Sequence, residues 1–446
     1  MTAQADAVPT EALATEAPAA EARRRLPTFF GFVLAVGLVW LGGQFVRQGV
    51  SDSFLTDKPG LAVLWQGDSS EAIAALARAS LKAKNPGGAA RLAVKAMQRW
   101  PLNAPALTTY GLALEQLKQP ARANLAMTLA GRAGWRDNLT QIWLFRRDML
   151  AQHYPGAVDH GDALLRRQEQ GPVIVYEILA AVAARDPRIL APLSAHLAAK
   201  PAWREPFFET LTLRLRPPPL DAVHALLASL VHSPAPPTDE ELQIYLGSLV
   251  AQQKFQQAEA DWRQLAPGSP RQTGGVYDGG FEQPPGPSPF DWQMGDGVGW
   301  TASIEDAPGA GAHGKALKLE YDGVSPSQPL AQLVTLPPGT YQLAGRAYDD
   351  GGSGDKSLFW TLACPGSPDS LARVSAPPGT PEQWRAFSVT FTVPASGCAA
   401  QLLRLSADPG GLPGDVVVWF DDMAISATSA VAPKPQAPGA GPAGIR

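Results

Sequence analysis

The sequence predicts a multidomain chain: one transmembrane helix, then an all-α array of repeated hairpins, then an all-β jelly-roll sandwich. Three observations carry that fold class. Residues 26–46 form an uncharged apolar run, residues 60–268 show helical periodicity that recurs along the chain, and residues 277–427 break into short β-rich runs between Gly-Pro turns. A chain of 446 residues exceeds one ordinary core, and a net charge of −4 gives no overall case for a nucleic-acid binder.

Residues 1–25 are rich in Ala, Glu, Pro and Thr. They cannot bury enough apolar surface to offset the entropy of ordering and are read as a disordered cytoplasmic tail. Residues 26–46, "LPTFFGFVLAVGLVWLGGQFV", hold no charge over 21 residues. As a helix that is about 30 Å, the hydrocarbon thickness of a bilayer. A cleaved signal and a buried core helix compete with this reading. A signal's apolar region is shorter, about 7 to 15 residues, and ends at small residues, whereas here "GGQFVRQ" follows. Arg23, Arg24 and Arg25 precede the run and Arg47 follows it. The excess of cations before the run leaves the N-terminus in the cytoplasm. The expected location is the bacterial inner membrane, single-pass, with the later domains in the periplasm.

The helical stretch repeats. In "PALTTYGLALEQLKQPARANLAMTLAGRA" the small and apolar marks are Leu107, Tyr110, Gly111, Leu114, Ala123, Met127 and Ala130. A shift of 34 residues toward the N-terminus places them on Ile73, Leu76, Ala77, Ser80, Ala89, Ala93 and Ala96, and a forward shift retains Ala157 and Leu164. Leu242, Tyr245, Leu246, Leu249, Ala258, Trp262 and Leu265 restate the frame, while residues 172–236 are degenerate in spacing. The pattern resembles the tetratricopeptide repeat, a hairpin of about 34 residues whose small positions let helices approach closely. The resemblance implies five or six stacked hairpins and a concave surface for protein partners. His153 and His160 fit no familiar metal spacing and read as polar surface residues. No H-E-x-x-H, G-x-S-x-G, P-loop or dinucleotide fingerprint is present, so no enzyme activity is expected, although paired carboxylates leave no fixed signature.

Residues 266–276, "APGSPRQTGGV", read as a linker, after which at least seven β-rich runs follow with no helix between them. Cys364 and Cys398 are the only cysteines and both lie in this part. Two readings stay open: one disulfide in an oxidising compartment, or two inert buried thiols. "DGGFE" and "PFDW", then "LVTLPPGTYQLAGRA", "WRAFSVTFTVPASGC" and "VVWFDDMAI", in that order, resemble the family 4/9-type carbohydrate-binding modules of the galactose-binding-like jelly rolls. The resemblance covers 277–427 and implies a structural calcium ion, Ca2+, held near the first and last strands. Glu282 and Asp422 would supply carboxylate oxygens, with Asp278 and Asp421 as further ligands, and Asp278 stands where that family commonly has Asn. The alternative is that Asp421 and Asp422 solvate a strand end.

Alternation sorts the aromatic residues. Phe387, Val389, Phe391 and Val393 share one face of "FSVTFTV", and Trp360 shares a face with Leu358, Leu362 and Cys364; both sets are assigned to the core. Gln342, Arg346 and Tyr348 share the opposite face of "TYQLAGRAYDD". A ring with amide and charged groups suits a sugar, so these three residues, with Trp300 in a loop, are the candidate glycan contacts. A solvated sheet face carries the same residue types. Residues 277–427 hold 7 Lys and Arg against 17 Asp and Glu, which favours a neutral polysaccharide; residues 60–276 hold 23 against 18. Residues 428–446 are Pro-Ala-Gly rich and read as a disordered tail. Two classes of function follow. One is a membrane-anchored periplasmic recognition protein of exopolysaccharide or cell-envelope assembly, and the other a protein scaffold whose jelly roll binds no sugar.

Overall fold

Residues 26–46 lie within one continuous helix, α1 (Ala22–Phe54), whose side chains from Phe32 onward are almost all exposed. By length and composition it is the one helix among the described residues able to cross a membrane. The computed structural model describes residues 22–167, 173–266, 275–295, 297–324, 327–350, 358–375, 382–407 and 416–428. The expected tail before residue 22, most of the linker and the tail after residue 428 lie outside them. The chain divides into two compact units, Met1–Ala163 and Leu164–Arg446.

In the first unit α1 is followed by α2 (Pro59–Trp65), α3 (Ser70–Lys82), α4 (Pro86–Arg99), α5 (Ala104–Gln116), α6 (Pro120–Ala133), α7 (Asn138–Leu150) and α8 (Tyr154–Leu165). α3, α5 and α7 begin at Ser70, Ala104 and Asn138, a step of 34 residues each time. Local chemistry sets those starts. The side chains of Ser69, Asn103 and Asp137 accept from the backbone amides of Ala72, Ala106 and Thr140, which satisfies donors a helix start leaves free. Pro86 and Pro120 open α4 and α6, where a missing N–H costs nothing. The turn inside each hairpin carries one left-handed residue, Lys84, Lys118 and Gln152. Packing then depends on small side chains. Ala77, Ala89, Ala93, Ala96, Ala123 and Ala130 are buried, and a Cβ on Gly111 would lie 2.6 Å from Met127 Sδ.

The second unit begins with α9 (Val173–Ala183), α10 (Leu190–Leu197), α11 (Arg204–Glu209), α12 (Leu220–Leu230), α13 (Asp239–Ala251) and α14 (Phe255–Leu265). Its irregular middle, with short helices and a proline run at 217–219, is held by a buried ion pair. Arg204 donates through Nε to Glu241 Oε1 at 2.6 Å and through Nη2 to Glu241 Oε2 at 2.7 Å. Its remaining donors go to the carbonyls of Leu197, Ala235 and Pro236. Glu241 also accepts from the backbone amide of Thr238 and so closes the capping box of α13.

Among the described residues ten strands follow: β1 (Gln293–Met294), β2 (Trp300–Asp306), β3 (Lys315–Tyr321), β4 (Ser327–Val334), β5 (Gly339–Asp349), β6 (Leu358–Ala363), β7 (Ser370–Ser375), β8 (Arg385–Val393), β9 (Gln401–Ala407) and β10 (Val416–Ala427). They form two antiparallel five-stranded sheets, β1-β4-β9-β6-β7 and β2-β3-β10-β5-β8, a jelly-roll-like sandwich. Trp360, Phe281, Phe420, Leu317, Leu319 and Leu403 are fully buried between the sheets, with Phe387 and Phe391 beside them. Cys364 and Cys398 form a disulfide between the end of β6 and the start of β9. α14 packs on the sandwich through Trp262, whose ring lies 5.0 Å from Tyr277 and 5.5 Å from Phe290. Thr335 Oγ1 donates to Glu259, which also pairs with Arg263.

Removing one partner of a buried pair leaves the other charge uncompensated, at a cost of about 3–5 kcal/mol. Glu241→Ala is therefore expected to destabilise the chain by that amount in chemical denaturation, whereas Glu240→Ala, an exposed neighbour, changes little.

Candidate functional site

The outer face of the β2-β3-β10-β5-β8 sheet carries three of the four expected glycan contacts. Alternation places Gln342, Ala344, Arg346 and Tyr348 of β5 outward, paired with Ala386, Ser388 and Thr390 of β8 on one side and with β10 on the other. Gln342 Nε2 donates to Ser388 Oγ at 3.2 Å, and Thr340 and Thr392 hydroxyls lie 3.4 Å apart. This side of the face is a row of small hydroxyl and amide groups open to solvent.

Beside that row stands a ring cluster. Tyr348, Ala316 and Trp419 are buried, with Trp384 and Ala307 against them. Trp384 lies 5.5 Å from Tyr348 and donates through Nε1 to the Pro308 carbonyl at 2.8 Å. Two cations cover the rings: Arg346 stands 5.2 Å over Trp384 and Lys318 stands 5.7 Å over Trp419. Lys318 Nζ also pairs with Glu320 at 2.8 Å and with Glu305 at 3.6 Å. The hydrogen bond to Glu320 is the first cause that raises its pKa above the ordinary lysine value.

The four expected glycan contacts are thus divided. Gln342 and Arg346 are on the outer face, half-buried. Tyr348 is on the same face but buried, because the loop from Ala307 to Gly314 folds over it. Gly309 has a positive φ, and a Cβ there would lie 2.7 Å from the Tyr348 ring, so the missing side chain permits that cover. Trp300 is not on this face: it begins β2 on the core side and packs against Gly297, where a Cβ would lie 2.2 Å from its indole nitrogen. Trp384 and Trp419 were missed, although alternation marks both. Trp384 shares the parity of Ala386 and Ser388, and Trp419 that of Asp421, each opposite core residues.

The expected calcium ligands occupy one corner of the same sheet. Asp421 is buried, and its Oδ2 accepts from Arg346 Nη2 at 2.9 Å while its Oδ1 accepts from the Asp422 amide at 2.7 Å. Arg346 Nε lies 2.6 Å from Asp422 Oδ2. Asp278 accepts from the amides of Glu282 and Gln283, and Glu282 Oε1 accepts from the Lys315 amide at 3.1 Å. Calcium requires six to eight oxygens around one centre. These carboxylates are already engaged by amides and a guanidinium, and among the described residues no group of three or more potential ligands is arranged to hold a metal. The residues do not fit calcium in this arrangement; Arg346 supplies the positive charge between Asp421 and Asp422. His153 and His160, in the first unit, flank the buried Asp148 at 3.5 Å and 3.8 Å, and His160 also bonds Gln141 Oε1 at 2.7 Å. Burial is the first cause that lowers the His160 pKa.

No family model matches the chain, and no curated protein matches it. Solved structures similar to it include a CBM4 structure, 16% identical, covering 34% of this chain and 99% of its own with a TM-score of 0.25. The CBM22-1 xylan-binding domain of Xyn10C from Paenibacillus barcinonensis is 14% identical, covering 36% of this chain and 97% of its own, with a TM-score of 0.26. TmCBM61 in complex with beta-1,4-galactotriose is 17% identical over 29% of this chain and 88% of its own, with a TM-score of 0.20. At these values the fold assignment stands on the strand topology itself.

Two outcomes follow from the Asp421 corner. Burial is the first cause that holds the Asp421 carboxyl above its ordinary value, with the Asp422 amide and Arg346 pulling it back. The folded state therefore binds that proton more tightly than the unfolded chain. Its contribution to stability rises as pH falls from neutral through the raised value toward 3.8. Denaturation across that range is expected to show a smaller rise in Asp421→Asn than in the parent. Calcium is expected to leave the melting temperature unchanged, whereas a site held at a hundredfold over its Kd would add about 2.7 kcal/mol.

Proposed function

We propose that this chain is a non-catalytic, membrane-anchored recognition protein whose jelly roll binds a neutral polysaccharide along the β5-β8 side of its outer sheet face. In this reading α1 is an uncleaved anchor in the bacterial inner membrane and the remainder lies in the periplasm. The helical hairpins form a tetratricopeptide-like solenoid that gathers protein partners for exopolysaccharide or cell-envelope assembly. The observation that carries the glycan role is the continuous row Gln342, Ser388, Thr390 and Thr392 beside the half-exposed ring of Trp384. Hydroxyl and amide groups donate and accept toward sugar hydroxyls. The excess of 17 acidic over 7 basic residues in 277–427 disfavours a polyanion.

A second reading, a protein scaffold, is favoured by a different feature. A cavity of about 350 Å³ lies between the last hairpin and the opposite sheet, lined by Val250, Phe255, Leu333 and Leu402 among others. An apolar side chain of a protein partner suits such a lining better than a sugar does.

Affinity electrophoresis of the detergent-solubilised full chain against neutral and acidic polysaccharides separates the two. Retardation by a neutral polysaccharide is expected, weakened about tenfold when Gln342→Ala and Ser388→Ala remove two hydrogen-bonding groups together. Trp360→Phe, a core change away from that face, should leave retardation intact in protein that remains folded. Absence of retardation by every polysaccharide would overturn the glycan reading and leave the scaffold.

A further inference from the structure

Each turn that joins one hairpin to the next in the first unit carries an exposed tryptophan. Trp65 is 46% exposed, Trp100 63% and Trp135 52%. They stand 35 residues apart, at the end of α2, directly after α4 and one residue past the C-cap of α6. Exposed leucines accompany them, Leu64 at 80% and Leu102 at 65%.

The turns are tied into a row. Asn103 Nδ2 donates to Ser70 Oγ at 2.8 Å and Arg99 pairs with Asp68 at 2.7 Å, which joins the second turn to the first. Thr108 Oγ1 donates to Asp137 Oδ2 at 2.6 Å, and a Cβ on Gly134 would lie 3.5 Å from the Ala104 Cβ, which joins the third to the second. Trp135 stacks on His160, with ring centroids 5.4 Å apart, and keeps half of its surface exposed.

The position of this row relative to α1 decides its meaning. Arg47, the residue immediately after the apolar run, donates through Nε and Nη2 to the Trp65 carbonyl at 3.3 and 3.1 Å. Ser51 Oγ donates to the Ala62 carbonyl at 3.1 Å, so α2 runs back along α1 toward the apolar run. Successive helices reverse direction, so the turns after α2, α4 and α6 all fall at the end where α1 leaves that run. We propose that Trp65, Trp100 and Trp135, with Leu64 and Leu102, dock into the headgroup region of the same bilayer that α1 spans. Indole rings partition to that region because one edge is polar and the body apolar. Arg132 and Arg136, both exposed, stand beside the third ring where lipid phosphates would meet them. The helical hairpins would then stand on the membrane rather than swing from a single tether.

The inference rests on α1 being an uncleaved membrane anchor, so the test reports on both. Cys364 and Cys398 are bonded to each other, so one introduced cysteine is the sole free thiol for an environment-sensitive fluorophore. Full-length Trp40→Cys, Leu64→Cys, Leu102→Cys and Gln116→Cys would be labelled and reconstituted in vesicles of phosphatidylcholine and phosphatidylglycerol carrying nitroxide-labelled lipid. Blue-shifted, quenched emission is expected at positions 40, 64 and 102, and neither change at 116, which ends α5 at the opposite edge. Quenching at 40 but not at 64 and 102 would overturn the docked row and keep the anchor. No quenching at 40 would overturn the anchor and the row with it.

Discussion

The jelly roll depends on how its last strand is interrupted. β10 pairs with β5 in regular register up to Asp421 and again from Ala424, with Asp422 and Met423 bulged between. Asp422 takes a left-handed backbone, and the Met423 amide donates to the Gly279 carbonyl at 2.8 Å. A Cβ on Gly279 would lie 1.7 Å from the Met423 carbonyl oxygen, so only glycine admits this crossing of first segment over last strand. The crossing drives Phe281 fully into the core, where it stacks 5.0 Å from Trp292, whose indole donates back to the Asp278 carbonyl. Outside, the same bulge turns Asp421 and Asp422 toward Arg346. One backbone irregularity therefore sets both the inner packing and the charge of the outer face, as bulges commonly do where a strand must re-aim its side chains.

The helical part of the first unit is governed by a different limit, the distance between backbones. Alanine and glycine at the repeated positions allow close approach, and that approach leaves little apolar volume in each hairpin. Each hairpin in the first unit packs on its neighbours as well as within its own helix pair. Capping side chains fix where each helix begins, so the turns repeat with the same geometry. That repetition is what brings three tryptophans, far apart in sequence, to equivalent places.

Much of this was legible in the residues. The 34-residue frame identified buried positions such as Ala89, Ala93 and Met127, because small residues at helical spacing have few other uses. Strand alternation separated Phe387 and Phe391 from Ser388 and Thr390 for the same reason: a period of two has one inward face. Tyr348 shares a polar strand face that suits a glycan contact, and it is covered. Its own strand carries no mark of that, since the cover comes from a loop about forty residues earlier, made possible by Gly309. The carboxylates of Asp278, Glu282, Asp421 and Asp422 were grouped by sequence motif. Their distribution among amides and Arg346 depends on distances that a motif does not encode. The tryptophans at 65, 100 and 135 recur every 35 residues, but a frame defined by buried positions does not mark residues that repeat outside the core.

The cations over the rings constrain what the outer face can recognise. A sugar that stacks on Trp384 or Trp419 must share or displace Arg346 or Lys318, and each is held by carboxylates, Arg346 by Asp421 and Asp422 and Lys318 by Glu320 and Glu305. Displacing Arg346 would leave the buried Asp421 without its partner, a cost that a single stacked ring, about 0.5–1.5 kcal/mol beyond its area, does not offset. If the face takes a glycan as proposed, hydrogen bonds along Gln342, Ser388 and Thr390 would carry most of the recognition, with the guanidinium of Arg346 left in place as a further donor. Such a face discriminates by the positions of hydroxyl groups rather than by apolar area. Under the proposed glycan role, the contacts would be many, weak and spread along the strand direction, an arrangement suited to an extended polysaccharide rather than a single sugar.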